Sequence, residues 1–230
     1  MDRYLYLSIN LFSIFIPIIF SFHPRLKFYK NFSSLLLGFL LMIPLFIIWD
    51  IWFTENSYWG FNSEYLLGIN IFNLPLEECL FFICIPFSCI YTYHVVWTLS
   101  KNKSHNSMRK TTVVLSVVLF FLGLLFFQKW YTSITFIGLS VVLLIAHLVV
   151  NMRLFYKTFL ILLFPFLMVN GLLTGSIIKD EVVWYNDNYN LGVRILTIPV
   201  EDIFYAMFML LLVMIGYQLG LNRRKKILSN

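Results

Sequence analysis

Two acidic pairs stand at the start of long apolar runs, where a carboxyl group is expensive to keep. Glu77 and Glu78 do so in "NLPLEECLFF" (73–82), and Glu201 and Asp202 in "TIPVEDIFYA" (197–206). A charge deep in a bilayer costs roughly 2.5–3.5 kcal/mol on insertion scales, so such residues generally face a bundle interior and act there. Desolvation and a second carboxylate favour the protonated form, which provides one proton donor beside one acceptor. The pairs predict intramembrane acid–base chemistry.

Helix geometry decides which member of each pair faces the centre. Successive helical residues point about 100° apart, so only one of two neighbours can face it directly. We expect Glu77 and Glu201, the identical members, to be the principal acid and base, with Glu78 and Asp202 as supporting partners. Helix capping is the alternative, because Pro75 suits a first helical turn and the helix dipole favours an anion there.

The elements that carry these pairs have the composition of membrane helices. Of the 230 residues, 60% are hydrophobic and 12% are charged, against roughly 25% charged in a soluble domain. The predicted fold class is an all-α integral membrane protein with seven transmembrane helices. They lie at 4–22, 32–52, 74–98, 112–128, 131–149, 158–178 and 197–219. The first lacks a small-residue cleavage site, so we expect a retained helix rather than a signal peptide.

The charges predict the orientation of the chain. Thirteen of the 17 Lys and Arg residues fall in 23–31, 99–111, 150–157 and 220–230, which the positive-inside rule assigns to the inner side. The N-terminus is then outside and the C-terminus cytoplasmic, with the bacterial inner membrane as the expected location. The net charge of +6 thus reflects topology, and no nucleic-acid partner is expected.

An internal duplication relates the two acidic pairs. The segment "YLLGINIFNLPLEECLFF" (65–82) aligns without gaps with "YNLGVRILTIPVEDIFYA" (189–206), at a constant offset of 124. The shared Tyr, Gly, Pro and acidic pair indicate a true repeat. We predict a first three-helix repeat at 1–111, a linking helix at 112–128 and a second three-helix repeat at 129–230. The linking helix makes the repeats parallel, which places both pairs at one depth toward the outer leaflet, and such repeats usually carry a site at their interface.

Other polar residues near the outer helix ends are candidate substrate contacts. Asp50 ends the second predicted helix, and Arg194 precedes Glu201 by seven residues, where it can favour the ionised carboxylate. The remaining polar candidates are Thr54, Trp59, Asn62 and Asn186. The alternative is that they are ordinary residues of the interfacial belt.

Several motifs are absent from the sequence. It has no G-x-G-x-x-G, no P-loop and no paired aspartates of the prenyltransferase kind, since "YNDNYN" offers only Asp187. The seventh predicted helix has no lysine for a retinal Schiff base. Cys79, Cys84 and Cys89 lack metal-binding spacing. We therefore expect no cofactor and no metal, and a very hydrophobic substrate that needs only protons moved.

Several segments resemble the integral-membrane carotenoid cyclases of the heterodimeric lycopene cyclase type, here as a fused single chain. They are "WDIWFT", "YWGFN", "LPLEECLFF", "NGLLTG" and "WYNDNYNLGVRILTIPVEDIFY". The resemblance implies an isomerase (intramolecular lyase) that cyclises the ends of lycopene into β-ionone rings without redox change. It implies acid–base roles for Glu77, Glu78, Glu201 and Asp202.

The expected mechanism begins with protonation of the terminal double bond and passes through a carbocation. Aromatic faces stabilise cations, and the aromatic candidates are Trp59, Phe81, Phe82, Phe204 and Tyr205. The expected partners are lycopene or a related linear carotenoid, membrane lipid and other enzymes of carotenoid synthesis. An ε-type or C50 carotenoid cyclase, a carotenoid-binding scaffold and a proton-coupled transporter are the alternatives.

Overall fold

Seven α-helices dominate the protein in the computed structural model, which describes residues 2–100 and 108–229. The inner-side prediction for Lys101 and Lys103 lies outside the described residues. The helices are α1 (Leu5–Ser21), α2 (Phe32–Glu55), α3 (Leu76–Leu99), α4 (Arg109–Leu125), α5 (Trp130–Val149), α6 (Met152–Leu173) and α7 (Glu201–Ser229).

The helices indicate an integral membrane protein. Within the described ranges, α2, α3, α5, α6 and α7 are long and apolar enough to cross a bilayer, and α1 is a shorter apolar helix. Three bounds differ clearly from the prediction. Helix α6 starts at Met152 rather than 158 and ends at Leu173 rather than 178, and α7 continues to Ser229 rather than ending at 219. The extensions at the start of α6 and the end of α7 include basic residues, among them Arg153, Lys157, Arg223 and Arg224. A helix can include such residues because it needs backbone hydrogen bonds rather than apolar side chains to continue.

The prediction of an all-α chain missed three small antiparallel sheets. One pairs β1 (Trp59–Phe61) with β4 (Val183–Tyr185), and the others are the hairpins β2 (Asn70–Ile71) with β3 (Leu74–Pro75) and β5 (Arg194–Ile195) with β6 (Ile198–Pro199). Strands of two or three residues are too short to show an alternating pattern. The β1–β4 pair joins the loop after α2 to the loop after α6, so α3 and α7 both start at the same end of the bundle.

The helix packing follows the internal repeat, in which α1, α2 and α3 correspond to α5, α6 and α7. The first and third helices of each repeat pack together, as α1 with α3 and α5 with α7. The second helix of each repeat packs against the third helix of the other, as α2 with α7 and α6 with α3. Helix α4 packs mainly on α5. The two halves therefore interlock.

The two interlocking interfaces differ in how closely their helices approach. A Cβ atom on Gly216 of α7 would lie 2.6 Å from the Cα of Gly38 on α2, so these backbones are in direct contact. The ungapped alignment of α3 with α7 places Thr92 and Val96 where α7 has Gly216 and Gly220. Larger side chains hold α3 away from α6, and the space between these two helices is available for a cavity.

We predict that Gly216→Ala destabilises the bundle. The added methyl group meets the backbone of Gly38, and such overpacking costs about 1–3 kcal/mol, which outweighs the gain of up to about 1 kcal/mol in helix propensity. Thermal unfolding in detergent measures the effect as a lower Tm. The control is Ser33→Ala on the exposed face of α2, which should leave the Tm unchanged. An unchanged Tm for Gly216→Ala would contradict the close α2–α7 approach.

Candidate active site

An elongated cavity of about 310 Å³ lies between α1, α3, α6 and α7. On α3 its lining runs from Glu78 to Thr92, about 21 Å of helix rise. Buried residues of the β1–β4 sheet and neighbouring helices, among them Trp59 and Tyr131, line the end nearest that sheet. Its acidic groups also gather at that end, and the rest of the wall is largely aliphatic and aromatic.

Glu78 and Asp202 both line this cavity, and each is held by a tyrosine of its own repeat. The hydroxyl of Tyr6 donates a hydrogen bond to Oε2 of Glu78. The hydroxyl of Tyr131 donates to Oδ1 of Asp202 at 2.5 Å. The two carboxyl groups thus occupy equivalent positions in the two repeats and reach the same space.

Asp202 has further donors. The Nδ2 atom of Asn170 donates to its Oδ2 at 2.6 Å, and the hydroxyl of Tyr185 donates to the same oxygen at 3.0 Å. Tyr185 lies in β4. Burial and the neighbouring Asp202 carboxylate hold the pKa of its hydroxyl well above the usual value. Tyr185 therefore remains a donor. Hydrogen bonds to an ionised group stabilise it, so Asp202 is the better-solvated carboxylate of the two.

A third carboxyl group, that of Asp50, lines the same end of the cavity. Its Oδ1 atom accepts a hydrogen bond from Nε1 of Trp59 at 2.6 Å. The described lining contains no Lys or Arg, so these three acids have no cation beside them. Burying several unpaired carboxylates together costs far more than burying groups that share protons. The cluster is therefore suited to exchanging protons with a molecule bound in the cavity.

The prediction that Glu77 and Glu201 face a common cavity is wrong. Both side chains are 0% exposed, yet neither lines the cavity. Oε1 of Glu77 accepts the backbone N–H of Leu67 at 2.7 Å. Oε1 of Glu201 accepts the N–H of Leu191 at 2.8 Å and the hydroxyl of Thr132 at 2.5 Å. Each carboxyl group ties the preceding loop to its helix, and the rotation of about 100° per residue turns the next acid toward the cavity.

Of the ten predicted substrate contacts, four line the cavity: Asp50, Trp59, Phe81 and Tyr205. The structure does not place the other six there. They are Thr54, Asn62, Phe82, Asn186, Arg194 and Phe204. Phe82 is packed in the core at 0% exposure, and Asn62 accepts the N–H of Glu64 in the loop. The sequence located these residues at the right level of the bundle but not on the right face of their elements.

Arg194 pairs with Asp187 at 2.6 Å rather than with Glu201. Its guanidinium also donates to the carbonyl oxygen of Thr197 at 2.7 Å. Partial burial raises the pKa of Asp187, but the hydrogen bonds from Arg194 and Asn190 outweigh it and hold the pKa below its usual value. The pair therefore stabilises the loop before α7 and has no direct part in the cavity.

Four residues that donate hydrogen bonds to Glu78 or Asp202 were not predicted: Tyr6, Tyr131, Asn170 and Tyr185. A signal for the first two is present in the sequence, since "YLSI" (6–9) and "YTSI" (131–134) share three of four residues at an offset of 125. The duplication therefore extends into α1 and α5 and equates the two tyrosines. Asn170 and Tyr185 have no such repeat signal, although both stand in segments that carried the family resemblance.

In chemical terms, the site offers carboxyl groups, hydroxyl donors and aromatic faces around an apolar space. In the described part of the chain, no group of His, Cys, Asp and Glu is arranged to hold a metal ion. The arrangement can protonate an apolar substrate, surround a cation with aromatic rings and take a proton back.

Comparison with known proteins identifies a family. The family model for lycopene cyclase matches residues 3–96 and 128–219, two segments that together cover most of the chain. No curated protein and no solved structure matches it. The match falls in two segments, as expected for a repeated cyclase domain, which confirms the resemblance. Membership implies a cyclase enzyme with a carotenoid substrate, and on this match the chain belongs to the lycopene cyclase family.

Proposed function

We propose that the protein cyclises lycopene to γ- and β-carotene by forming β-ionone end rings, in a proton-initiated reaction without redox change. The observation that carries this proposal is the meeting of Glu78 and Asp202, equivalent residues of the two repeats, at one end of a single apolar cavity. In the proposed topology, seven helices span the bacterial inner membrane, with the N-terminus outside. Two parallel repeats (1–111 and 129–230) are joined by a linking helix (112–128).

The proposed reaction uses one proton and returns it. A protonated carboxyl group donates its proton to the terminal double bond of the substrate, which leaves a tertiary carbocation. The electrons of the neighbouring double bond attack this carbon, which closes the ring and moves the cation onto a ring carbon. A carboxylate then removes the adjacent proton, and the double bond of the β-ring forms. Substrate and product are isomers, so the reaction consumes no co-reactant.

The hydrogen bonds support an assignment of the two roles. Asp202 accepts from Tyr131, Asn170 and Tyr185, and Glu78 accepts from Tyr6. Because more donors stabilise a carboxylate better, we assign Asp202 as the base and Glu78 as the acid. Asp50 completes the group and can return the proton from one carboxyl group to the other between turnovers.

The aromatic residues at this end support the cationic intermediate. The ring centroid of Trp59 lies 5.2 Å from that of Tyr131 and 6.1 Å from that of Tyr205, and all three residues line the cavity. A cation over such a face gains about 0.5–2 kcal/mol. The same rings exclude water, which would otherwise trap the cation as an alcohol.

We predict that Glu78→Gln and Asp202→Asn each block ring formation while the protein remains folded. The amide keeps the shape of the carboxyl group but cannot transfer a proton, and general acid–base steps contribute about 10²–10⁴-fold. Expression in lycopene-accumulating bacteria, with pigment analysis at matched protein levels, should show retained lycopene. The matched control is Glu64→Gln on the exposed loop, which should retain activity. Full activity of the Glu78→Gln/Asp202→Asn double variant would overturn the mechanism. Formation of ε-rings, or of rings on a C50 carotenoid, would instead change the product or the substrate assigned to the enzyme.

The neighbouring acids provide an internal comparison. Glu77→Gln and Glu201→Gln keep an oxygen that accepts the N–H of Leu67 or Leu191, so we predict that both variants retain cyclisation. Glu77→Ala and Glu201→Ala leave that buried N–H without an acceptor, at a cost of about 1–3 kcal/mol, and should lower the Tm. Loss of cyclisation in Glu77→Gln at an unchanged Tm would instead give Glu77 a role in proton transfer.

A further inference from the structure

We propose that the carotenoid enters the cavity end first from the lipid, through the gap between α1 and α6, and that one end is cyclised in each visit. This inference rests on the proposed function, because it concerns how the same cavity receives its substrate. Three observations carry it: where the cavity opens, where its acids lie and how long it is.

The cavity opens at the side of the bundle. Its lining includes Pro165 of α6, which is exposed, and the half-buried Ser13 and Pro17 of α1. Pro165 lies five residues before Asn170 on α6, about 8 Å along the helix axis. The opening is therefore at a depth that faces lipid chains, whereas buried Trp59 and Val183 line the loop end. A substrate as apolar as a linear carotenoid is dissolved in those lipid chains.

The cavity has acids at one end only. In its described lining, Asp50, Glu78 and Asp202 are the acidic residues, and all three stand at the end nearest the β1–β4 sheet. The polar side chains farther down include Ser88 and Thr92 of α3, whose hydroxyls donate to backbone carbonyls. A hydroxyl bonded in this way presents a nearly apolar wall. The duplicated sequence therefore forms one acid–base centre, because both repeats contribute their acids to the same place.

The cavity is shorter than the substrate. Its lining on α3 spans about 21 Å, and the extended polyene chain of a C40 carotenoid is longer than this. A ring-forming end with its first chain carbons fits beside the acids, but the whole chain does not. The distal half must remain in the gap and in the lipid while the first end reacts. The second end reaches the acids only after the product leaves and re-enters in the opposite direction.

The first test is the order of products. Purified wild-type cyclase is placed in liposomes with lycopene in large excess, and mono- and bicyclic carotenes are separated over time. We expect the monocyclic product alone at low conversion, with the bicyclic product appearing after a lag or not at all. Bicyclic product formed from the start in constant proportion would overturn the inference. Failure of the wild type to form any ring would instead reject the proposed function.

The second test fills the gap between α1 and α6 with a larger side chain. Leu163 lines the cavity on α6 and is half-buried, whereas Leu160 is 69% exposed on the same helix and does not line it. Leu163→Trp should lower kcat/KM at least about tenfold at an unchanged Tm, and Leu160→Trp should leave it unchanged. If Leu163→Trp lowers the Tm, Ser13→Phe tests the α1 side of the same gap. Wild-type kcat/KM in a folded variant with the gap filled would overturn the proposed entrance.

Discussion

The burial of carboxyl groups without a cation is the constraint on which the rest of this structure depends. A buried carboxyl group needs hydrogen-bond donors or a proton, and the first turns of α3 and α7 each carry two such groups. Glu77 and Glu201 accept hydrogen bonds from backbone N–H groups of the loops that precede their helices. Glu78 and Asp202 accept hydrogen bonds from tyrosine hydroxyls of α1 and α5. In each acidic pair, therefore, the first member stabilises the backbone of the preceding loop and the second lines the cavity.

The duplication brings the acids together, but the cavity depends on the differences between the repeats. Where α2 meets α7, glycines allow the backbones to touch and leave no room. Where α6 meets α3, larger side chains keep the helices apart, and the cavity forms along that interface. A fully symmetric pair of repeats would have two closed interfaces or two cavities. The loss of symmetry at Gly216 and Thr92 thus explains why one of the two interfaces is open.

The loops close the end of the cavity at which the acids lie. The β1–β4 pair joins the two repeats across the ends of α3 and α7, and the Asp187–Arg194 ion pair holds the second loop in place. Trp59 and Tyr185 are opposite each other in that sheet, and both line the cavity beside the acids. The most polar part of the site is therefore sealed from water by aromatic rings. This seal suits the proposed reaction, in which a carbocation must survive until it loses a proton.

The membrane class, the approximate helix positions, the duplication and the level of the acids in the bundle can all be predicted from the amino-acid sequence. These features are encoded locally, because a bilayer requires long apolar runs and an acidic pair in such a run stands out whatever its surroundings. That Glu78 and Asp202, rather than Glu77 and Glu201, face the cavity becomes visible only in the packed bundle. The choice depends on the rotation of α3 and α7 about their axes, which the packing of neighbouring helices sets and no local pattern records. Asn170 and Tyr185 join the site for the same reason, since their partner Asp202 is distant from them in sequence and near only after the helices have packed.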